Sequence, residues 1–133
     1  MSNSGKRYWW LKLPDGFFEK ITTKGLKFRG PQYVVVYLEL LLESVKTDGR
    51  LIYRKIAKDI ATELSMAINE DVNLVRQVIL YLEQQGLAAA DPDDPDNIVL
   101  LEAVDNLGSK GDSAERMKRY RAKQRAGSNN DKQ

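Results

Sequence analysis

The segment from Arg50 to Leu101 constrains the fold of this chain most, because it carries the elements of one motif in order. They are a short strand at Leu51–Tyr53, helices over Arg54–Met66 and Glu70–Gln85, and hairpin strands at Leu87–Ala90 and Ile98–Leu101. Gly86 ends the second helix, and an Asp/Pro-rich turn separates the last two strands. This order predicts a winged helix-turn-helix with a small β-hairpin wing, an arrangement that usually sets one helix into a DNA groove.

Periodic apolar residues support both helices of the motif. In the first helix the apolar face comprises Ile56, Ile60, Ala61 and Leu64, and in the second it comprises Val72, Val75, Ile79 and Leu82. Asn69 is positioned to cap the second helix. The acidic residues Glu70 and Asp71 suit the positive end of that helix, although they would face phosphates if the helix entered a groove.

The region before the motif contributes further elements. Tyr8–Leu13 is aromatic-rich and ends at a turn signal, so it predicts a strand. Glu19–Phe28 predicts a helix that two threonines and Gly25 weaken. Pro31–Lys46 predicts the strongest helix of the chain, apolar around most of its circumference. Two readings of that helix remain open: it contacts a second protomer, or Trp9, Trp10 and Phe18 cover it.

Composition shifts divide the chain into three parts. We expect a winged-helix domain over residues 1–107, a flexible linker over 108–113, and a basic tail over 114–133 that is disordered or helical only when bound. The expected fold class is therefore α+β and mostly helical, with a basic C-terminal tail.

Charge is segregated along the sequence. Residues 1–58 hold twelve Lys/Arg against five Asp/Glu, residues 59–112 hold two against twelve, and residues 113–133 hold seven against two. This pattern indicates a basic face and tail for a polyanion, or a surface that pairs head to tail; alternatively, folding interleaves the blocks and no patch survives.

Several function classes are disfavoured by composition. The chain has no cysteine and no histidine, which removes the thiolate nucleophile and the commonest general base and metal ligand. Neither phosphate-loop spacing nor an isolated carboxylate pair is present, so we expect no enzymatic activity and no cofactor. The acidic turn after Ala90 is faintly similar to a calcium loop, but Asp96 stands where that loop needs glycine. No apolar run is long enough to span a membrane, and cytoplasmic residence is expected.

The candidate DNA contacts fall in three groups. On the outer side of the second motif helix, Asn73, Arg76, Gln77 and Gln84 could bond base edges. The predicted start of the first motif helix carries Arg54, Lys55 and Lys58 for phosphates. The tail supplies six cations within ten residues, namely Arg116, Lys118, Arg119, Arg121, Lys123 and Arg125. Alternatively, the outer side of the second motif helix is a solvated surface and the tail is a solubilising appendage.

Several stretches together resemble one known family. Tyr8–Leu13, Phe17-Phe18, the run Tyr37–Leu42 leading to Asp48–Leu51, and Asn69–Val72 leading to Tyr81–Leu87 look like the N-terminal domain of phage replisome organizers. The basic stretch 113–125 is similar to the segment that follows that domain. The resemblance covers about residues 7–125 and implies a winged-helix module that recognises a phage replication origin and helps recruit the helicase-loading machinery. The chain is also similar in kind to DnaD-like primosomal proteins, where the comparable domain mainly oligomerises.

Two departures from this family pattern are visible. Family members usually continue well past the basic segment, whereas this sequence ends at Gln133. The region Glu19–Phe28 is also less helical than the basic helix that the family usually has there.

Three functions follow as alternatives. The first is a DNA-binding replication-initiation module with double-stranded DNA and a helicase loader or helicase as partners. The second is an assembly scaffold that forms a homo-oligomer through the Pro31–Lys46 helix. The third is a transcriptional regulator of the same fold.

Overall fold

The computed structural model describes residues 11–105, which form five α-helices and a small antiparallel sheet. The helices are α1 (Ile21–Arg29), α2 (Pro31–Glu43), α3 (Ile60–Ile68), α4 (Val72–Gln84) and α5 (Leu101–Asp105). The strands are β1 (Arg50–Leu51), β2 (Ala88–Ala90) and β3 (Ile98–Leu100), in the order β1-β3-β2. The predicted mostly helical α+β class is confirmed. The linker, the tail and the first half of the predicted N-terminal strand lie outside the described residues; in its second half only Leu11 forms a bridge, and Lys12 and Leu13 are not in a strand.

Helix α2 lies at the centre of the core. Val36, Tyr37, Leu40 and Leu41 are buried, and they face helices on both sides, because α1, α3, α4 and α5 all contact α2. Burial of such side chains stabilises the fold by about 1.5–3 kcal/mol each, which explains why this apolar segment forms the central helix. The helix ends at Glu43, and a 3-10 turn over Val45–Thr47 replaces the predicted last turn.

Part of α2 remains uncovered. Phe17, rather than the predicted Phe18, stacks on Tyr37 with ring centroids 6.2 Å apart, while Phe18 is half exposed. Val35 and Leu42 are exposed on the opposite side of the helix. Trp9 and Trp10 lie outside the described residues. Whether they cover the exposed side of α2 or a second protomer does so therefore stays a prediction.

Helix α1 forms where the sequence predicted a weak helix. Thr23 and Leu26 are buried against the core. Gly25 contacts the Tyr81 hydroxyl on α4, and that hydroxyl donates to the Thr22 carbonyl at 2.8 Å. A side chain at residue 25 would meet Tyr81, so the glycine that lowers helix propensity allows the two helices to approach closely.

The segment before α3 is a loop, and the prediction of a helix from Arg54 is wrong. The carboxylate of Glu63 accepts backbone N–H groups from Arg54, Ile56 and Ala57 at 2.6–3.0 Å, which holds them out of a helix. Lys55 has a positive φ of 63°. Helix α3 begins only at Ile60, where Asp59 caps it by accepting the Thr62 N–H at 2.9 Å.

The turn between α3 and α4 also differs from the prediction. Asn69 does not cap α4; it ends α3 in the left-handed conformation, with φ 60°. Asp71 is the residue that caps α4, accepting the Leu74 N–H at 3.1 Å. Asparagine is one of the few residues that adopts this conformation readily, which explains its position here.

The predicted hairpin forms between β2 and β3, with Ala89 opposite Val99. Its acidic turn is held by its own carboxylates: Asp91 accepts the Asp93 N–H at 3.0 Å, and Asp94 accepts the Asp96 N–H at 3.2 Å. The predicted first strand is shorter than expected, since Arg50–Leu51 pair with β3.

Glu102 on α5 joins that helix to α2 and to the residue before α1. This buried carboxylate on α5 accepts the Tyr37 hydroxyl of α2 and pairs with the Lys20 ammonium before α1. Burial, and after it the hydrogen bond and charge of Glu102, raise the pKa of Tyr37, so its hydroxyl stays protonated. The contact fixes α5, which precedes the predicted linker.

None of the helices in residues 11–105 has the length and apolar character needed to cross a bilayer.

Candidate nucleic-acid interface

Helix α4 presents a narrow stripe to solvent. The stripe consists of Asn73, Gln77, Leu80 and Gln84, all exposed and spaced by four, three and four residues, and exposed Glu83 borders it on the side of Arg76, seven residues earlier. The opposite side of the helix is buried in the core through Val75, Val78 and Leu82. The stripe therefore has amide groups, which can bond the edges of bases, around an apolar side chain that can contact a thymine methyl group.

The first turn of α2 lies beside the first turn of α4. The Gln32 amide donates to both carboxylate oxygens of Glu70 at 3.0 Å, and the Tyr33 hydroxyl donates to the Gln77 amide oxygen. These contacts orient Gln77. They also bind Glu70, which is one of the two carboxylates that we expected to face phosphates at the start of α4.

Arg76 lies at one edge of the stripe and is already paired. Its Nη2 donates to Asp59 at 2.9 Å and lies 3.4 Å from the Thr62 hydroxyl. The Thr62 hydroxyl first, and then Arg76, lower the pKa of Asp59, so the pair stays ionised. Arg76 thus links α4 to the start of α3, and its half-exposed guanidinium keeps further donors.

Arg54, Lys55 and Lys58 are exposed in the loop before α3. The expectation that they benefit from the positive end of a helix is wrong, because the Asp59 carboxylate occupies that end. Lys55 pairs with Asp96 of the hairpin turn at 3.3 Å, and Lys58 adjoins the residue that binds Arg76. The loop therefore places cations on the α3 side of α4.

Cations on α1 were missing from the sequence-based site. Helix α1 carries Lys24, Lys27 and Arg29, all exposed, and no acidic residue. The Arg29 guanidinium lies 4.8 Å from the centroid of the Tyr81 ring of α4. Three cations within six residues were the available signal; the segment was predicted to be helical, but its threonines and Gly25 weakened that prediction and its cations were left out of the candidate contacts.

The two cationic edges lie on either side of the stripe. With 3.6 residues per turn, Tyr81 and Arg76 point about 140° apart around α4, and the stripe occupies the arc between them. Arg29 meets the Tyr81 edge, and Lys58 adjoins Asp59, the partner of Arg76, whereas Arg54 lines a cleft with Glu43 and Thr47 near the end of α2. The stripe therefore has a cation at each of its two edges.

A family model described as the N-terminal phage replisome organiser matches residues 10–128. The chain belongs to this family. Its role is therefore in phage DNA replication, and the family is one of replication organisers rather than of enzymes. The searches of curated proteins and of solved structures found no match.

In this replisome-organiser domain, the hairpin turn is an acidic surface. Asp91 is fully buried and lies 3.6 Å from Arg50, whereas Asp93, Asp94 and Asp96 are exposed. Within residues 11–105, no group of acidic side chains is arranged to hold a metal ion. The aspartates stabilise the turn through hydrogen bonds, and their charge disfavours contact with phosphates.

The predicted tail contacts lie outside the described residues. They are Arg116, Lys118, Arg119, Arg121, Lys123 and Arg125. The family match extends through all six positions.

Proposed function

We propose that this domain is the DNA-binding module of a phage replication-initiation protein. It recognises origin duplex DNA as a winged helix and helps assemble the helicase-loading complex. The single observation that carries the proposal is the amide stripe of α4 with cations at both of its edges. The helix-turn-helix of α3 and α4, followed by the β2–β3 hairpin, supports the winged-helix assignment.

In this proposal α4 enters the major groove. Asn73, Gln77 and Gln84 bond base edges, and each good pair of hydrogen bonds discriminates against a wrong base by about 1–3 kcal/mol. Gln77 also keeps its contact with Tyr33, which fixes its orientation. Leu80 lies at the centre of the contact, where exclusion of water favours the amide–base bonds.

Phosphates on the two strands are held by Arg29 at one edge of α4 and by Lys58 at the other, whereas Lys55 stays with Asp96 of the hairpin turn. Arg76 lies at this second edge and holds the start of α3 in place by donating to Asp59; its remaining N–H groups can bind a phosphate. The acidic hairpin turn stays away from the duplex. The six tail cations add contacts that do not depend on sequence, which raises affinity without changing the preferred site.

The test compares origin duplex with a scrambled duplex of equal length, using the full chain. Asn73→Ala and Gln84→Ala remove exposed amides without touching the core, and each should weaken origin binding about 5- to 150-fold. Binding to the scrambled duplex should change little. Gln85→Ala, an exposed amide just beyond α4, is the matched control and should leave both affinities unchanged.

Two results would contradict this proposal. The intact chain could bind origin and scrambled duplex equally, or both stripe variants could bind the origin like the wild type. Selective binding beside a promoter instead of at the origin would identify a transcriptional regulator.

A second candidate function is an assembly scaffold. Val35 and Leu42 are exposed on α2, and Ile56 and Met66 are exposed around an open cleft of ≈ 170 Å³ next to its end. Apolar surface of this kind favours protein association. Light scattering tests it, since a strict monomer at tens of micromolar would rule out self-assembly through this surface.

A further inference from the structure

The most exposed large apolar side chain among residues 11–105 is Phe28 on α1. It is 94% exposed, which means that its ring has almost no contact with the rest of the domain. The buried side of α1 is supplied by Thr23 and Leu26, so folding of the helix does not need an aromatic residue at position 28. An aromatic ring held on a rigid helix with both faces in solvent is suited to stacking against another flat ring.

The surroundings of this ring are cationic. Lys24 lies one helical turn before Phe28, and Lys27 precedes it directly. The nearest acid, Glu19, lies 3.8 Å from Lys24 in a largely exposed pair, which contributes little and is readily exchanged for another anion. We call Lys24, Lys27 and Phe28 the Phe28 face.

We propose that the Phe28 face binds single-stranded DNA, with a base stacked on the Phe28 ring and adjacent phosphates paired with Lys24 and Lys27. Single strands offer unstacked bases together with phosphates, and this is the combination that an aromatic ring among cations recognises. Duplex DNA does not fit the ring, because its base faces are covered by neighbouring base pairs. A protein partner would have to supply acidic groups around an apolar pocket. A single nucleotide already has both parts of this pattern, since its phosphate pairs with a lysine and its base stacks on the ring.

The position of the face in the fold agrees with this ligand. Gly25, within one turn of Phe28, contacts Tyr81 at the edge of α4, and Arg29 lies over the same tyrosine ring. The Phe28 face therefore adjoins the surface that we assign to duplex DNA. The inference rests on the proposed function in one respect: the single strand is the one released where origin duplex opens beside α4.

The experiment measures binding of the full chain to a labelled oligothymidylate of about 20 nucleotides, longer than the ~4–16 nucleotides that a small module covers. Phe28→Leu keeps an apolar side chain but removes the π surface, and it should weaken binding about 5- to 150-fold. Phe28→Tyr should retain the wild-type affinity. Because the side chain is exposed, neither variant should change the thermal unfolding midpoint.

The control is Leu42→Ala, which removes an exposed apolar side chain from another helix, α2, where it is 60% exposed, without removing a ring. It should leave oligothymidylate binding unchanged. Affinity for origin duplex, measured in parallel, should stay within about twofold in all three variants, since stacking contributes to single-strand binding.

The inference is overturned if Phe28→Leu binds the oligonucleotide like the wild type, or if the intact chain does not bind it at all. It is also overturned if the Phe28 variants alter self-association by light scattering instead, because the face would then be a protein contact. Failure of the proposed function appears separately, as loss of origin selectivity in the duplex measurements.

Discussion

Replacing Tyr37 with phenylalanine tests the buried contact that joins α2 to α5. The substitution removes one hydroxyl, which donates to the Glu102 carboxylate, and keeps the ring that stacks on Phe17. Tyr37 is 1% exposed and Glu102 is 8% exposed, so water cannot readily replace the lost donor.

The expected cost follows from the charge of the acceptor. A hydrogen bond to a charged group contributes about 1.5–3 kcal/mol, and a buried carboxylate that loses a donor keeps its desolvation cost. For a domain of this size, a loss of about 2 kcal/mol lowers the melting temperature by about 8–16 °C. Lys20 remains beside Glu102 and prevents a still larger loss.

Urea unfolding monitored by circular dichroism measures this cost, with Tyr33→Phe as the matched control. Tyr33 also donates a hydrogen bond, but to Gln77 on the exposed side of α4, where water can take its place. The control should change the free energy of unfolding by less than about 0.5 kcal/mol. Equal effects of the two substitutions, or no effect of Tyr37→Phe, would refute the reasoning about the buried carboxylate.

Three further predictions concern stability. Burial, and after it the neighbouring Glu70 carboxylate, raise the pKa of Glu39, so the ionised form of Glu39 destabilises the fold. In urea titrations Glu39→Gln should therefore be more stable than the wild type at pH 7, and this difference should vanish below about pH 4. Glu43→Gln, at an exposed position of the same helix, should show no such gain. Gly49→Ala should destabilise by more than about 1 kcal/mol, because φ is +84° and Val104 occupies the space of a Cβ; an unchanged melting temperature would contradict this. The pKa of Asp59 is lowered, so its carboxylate stabilises the fold above about pH 4 and loses this effect in acid. The free energy of unfolding of Asp59→Asn should therefore fall less than that of the wild type when the pH is lowered below about 4.

The helices that bury a regular apolar face could be predicted from the sequence. Helix α2 and most of α4 form where the apolar periodicity predicts them, although the predicted cap of α4 was wrong, and the hairpin strands differ from the prediction by one residue at an end. Burial of one side of α4 also determines which of its residues face outward. The amides Asn73 and Gln77 therefore lie on the surface as predicted.

Contacts between distant residues account for what the sequence did not reveal. Nothing in the composition of residues 54–58 forbids a helix; the Glu63 carboxylate binds their backbone N–H groups from one turn inside α3. Partial burial acts to raise the pKa of Glu63, but the N–H groups of Ala57, Arg54 and Ile56 together lower it, so the carboxylate stays ionised and keeps this loop in place.

Pairing across elements also changes the role of individual site residues. Arg76 was expected to read a base, and it binds Asp59, a residue 17 positions earlier in the chain. Gly25 weakens α1 in isolation, and the same glycine lets α1 pack on Tyr81, which places the α1 cations beside α4.

The salt dependence of origin binding tests most directly whether cations at both edges of α4 hold the duplex. The full chain is compared with a variant that carries Arg29→Gln and Lys58→Gln, with exposed Lys46→Gln on the turn before β1 as the control. Each lost phosphate contact should reduce the slope of log Kobs against log salt concentration by about 0.9, so the double variant should lose about 2 units and the control none. A double variant whose slope equals that of the wild type would contradict the assignment of these edges to DNA.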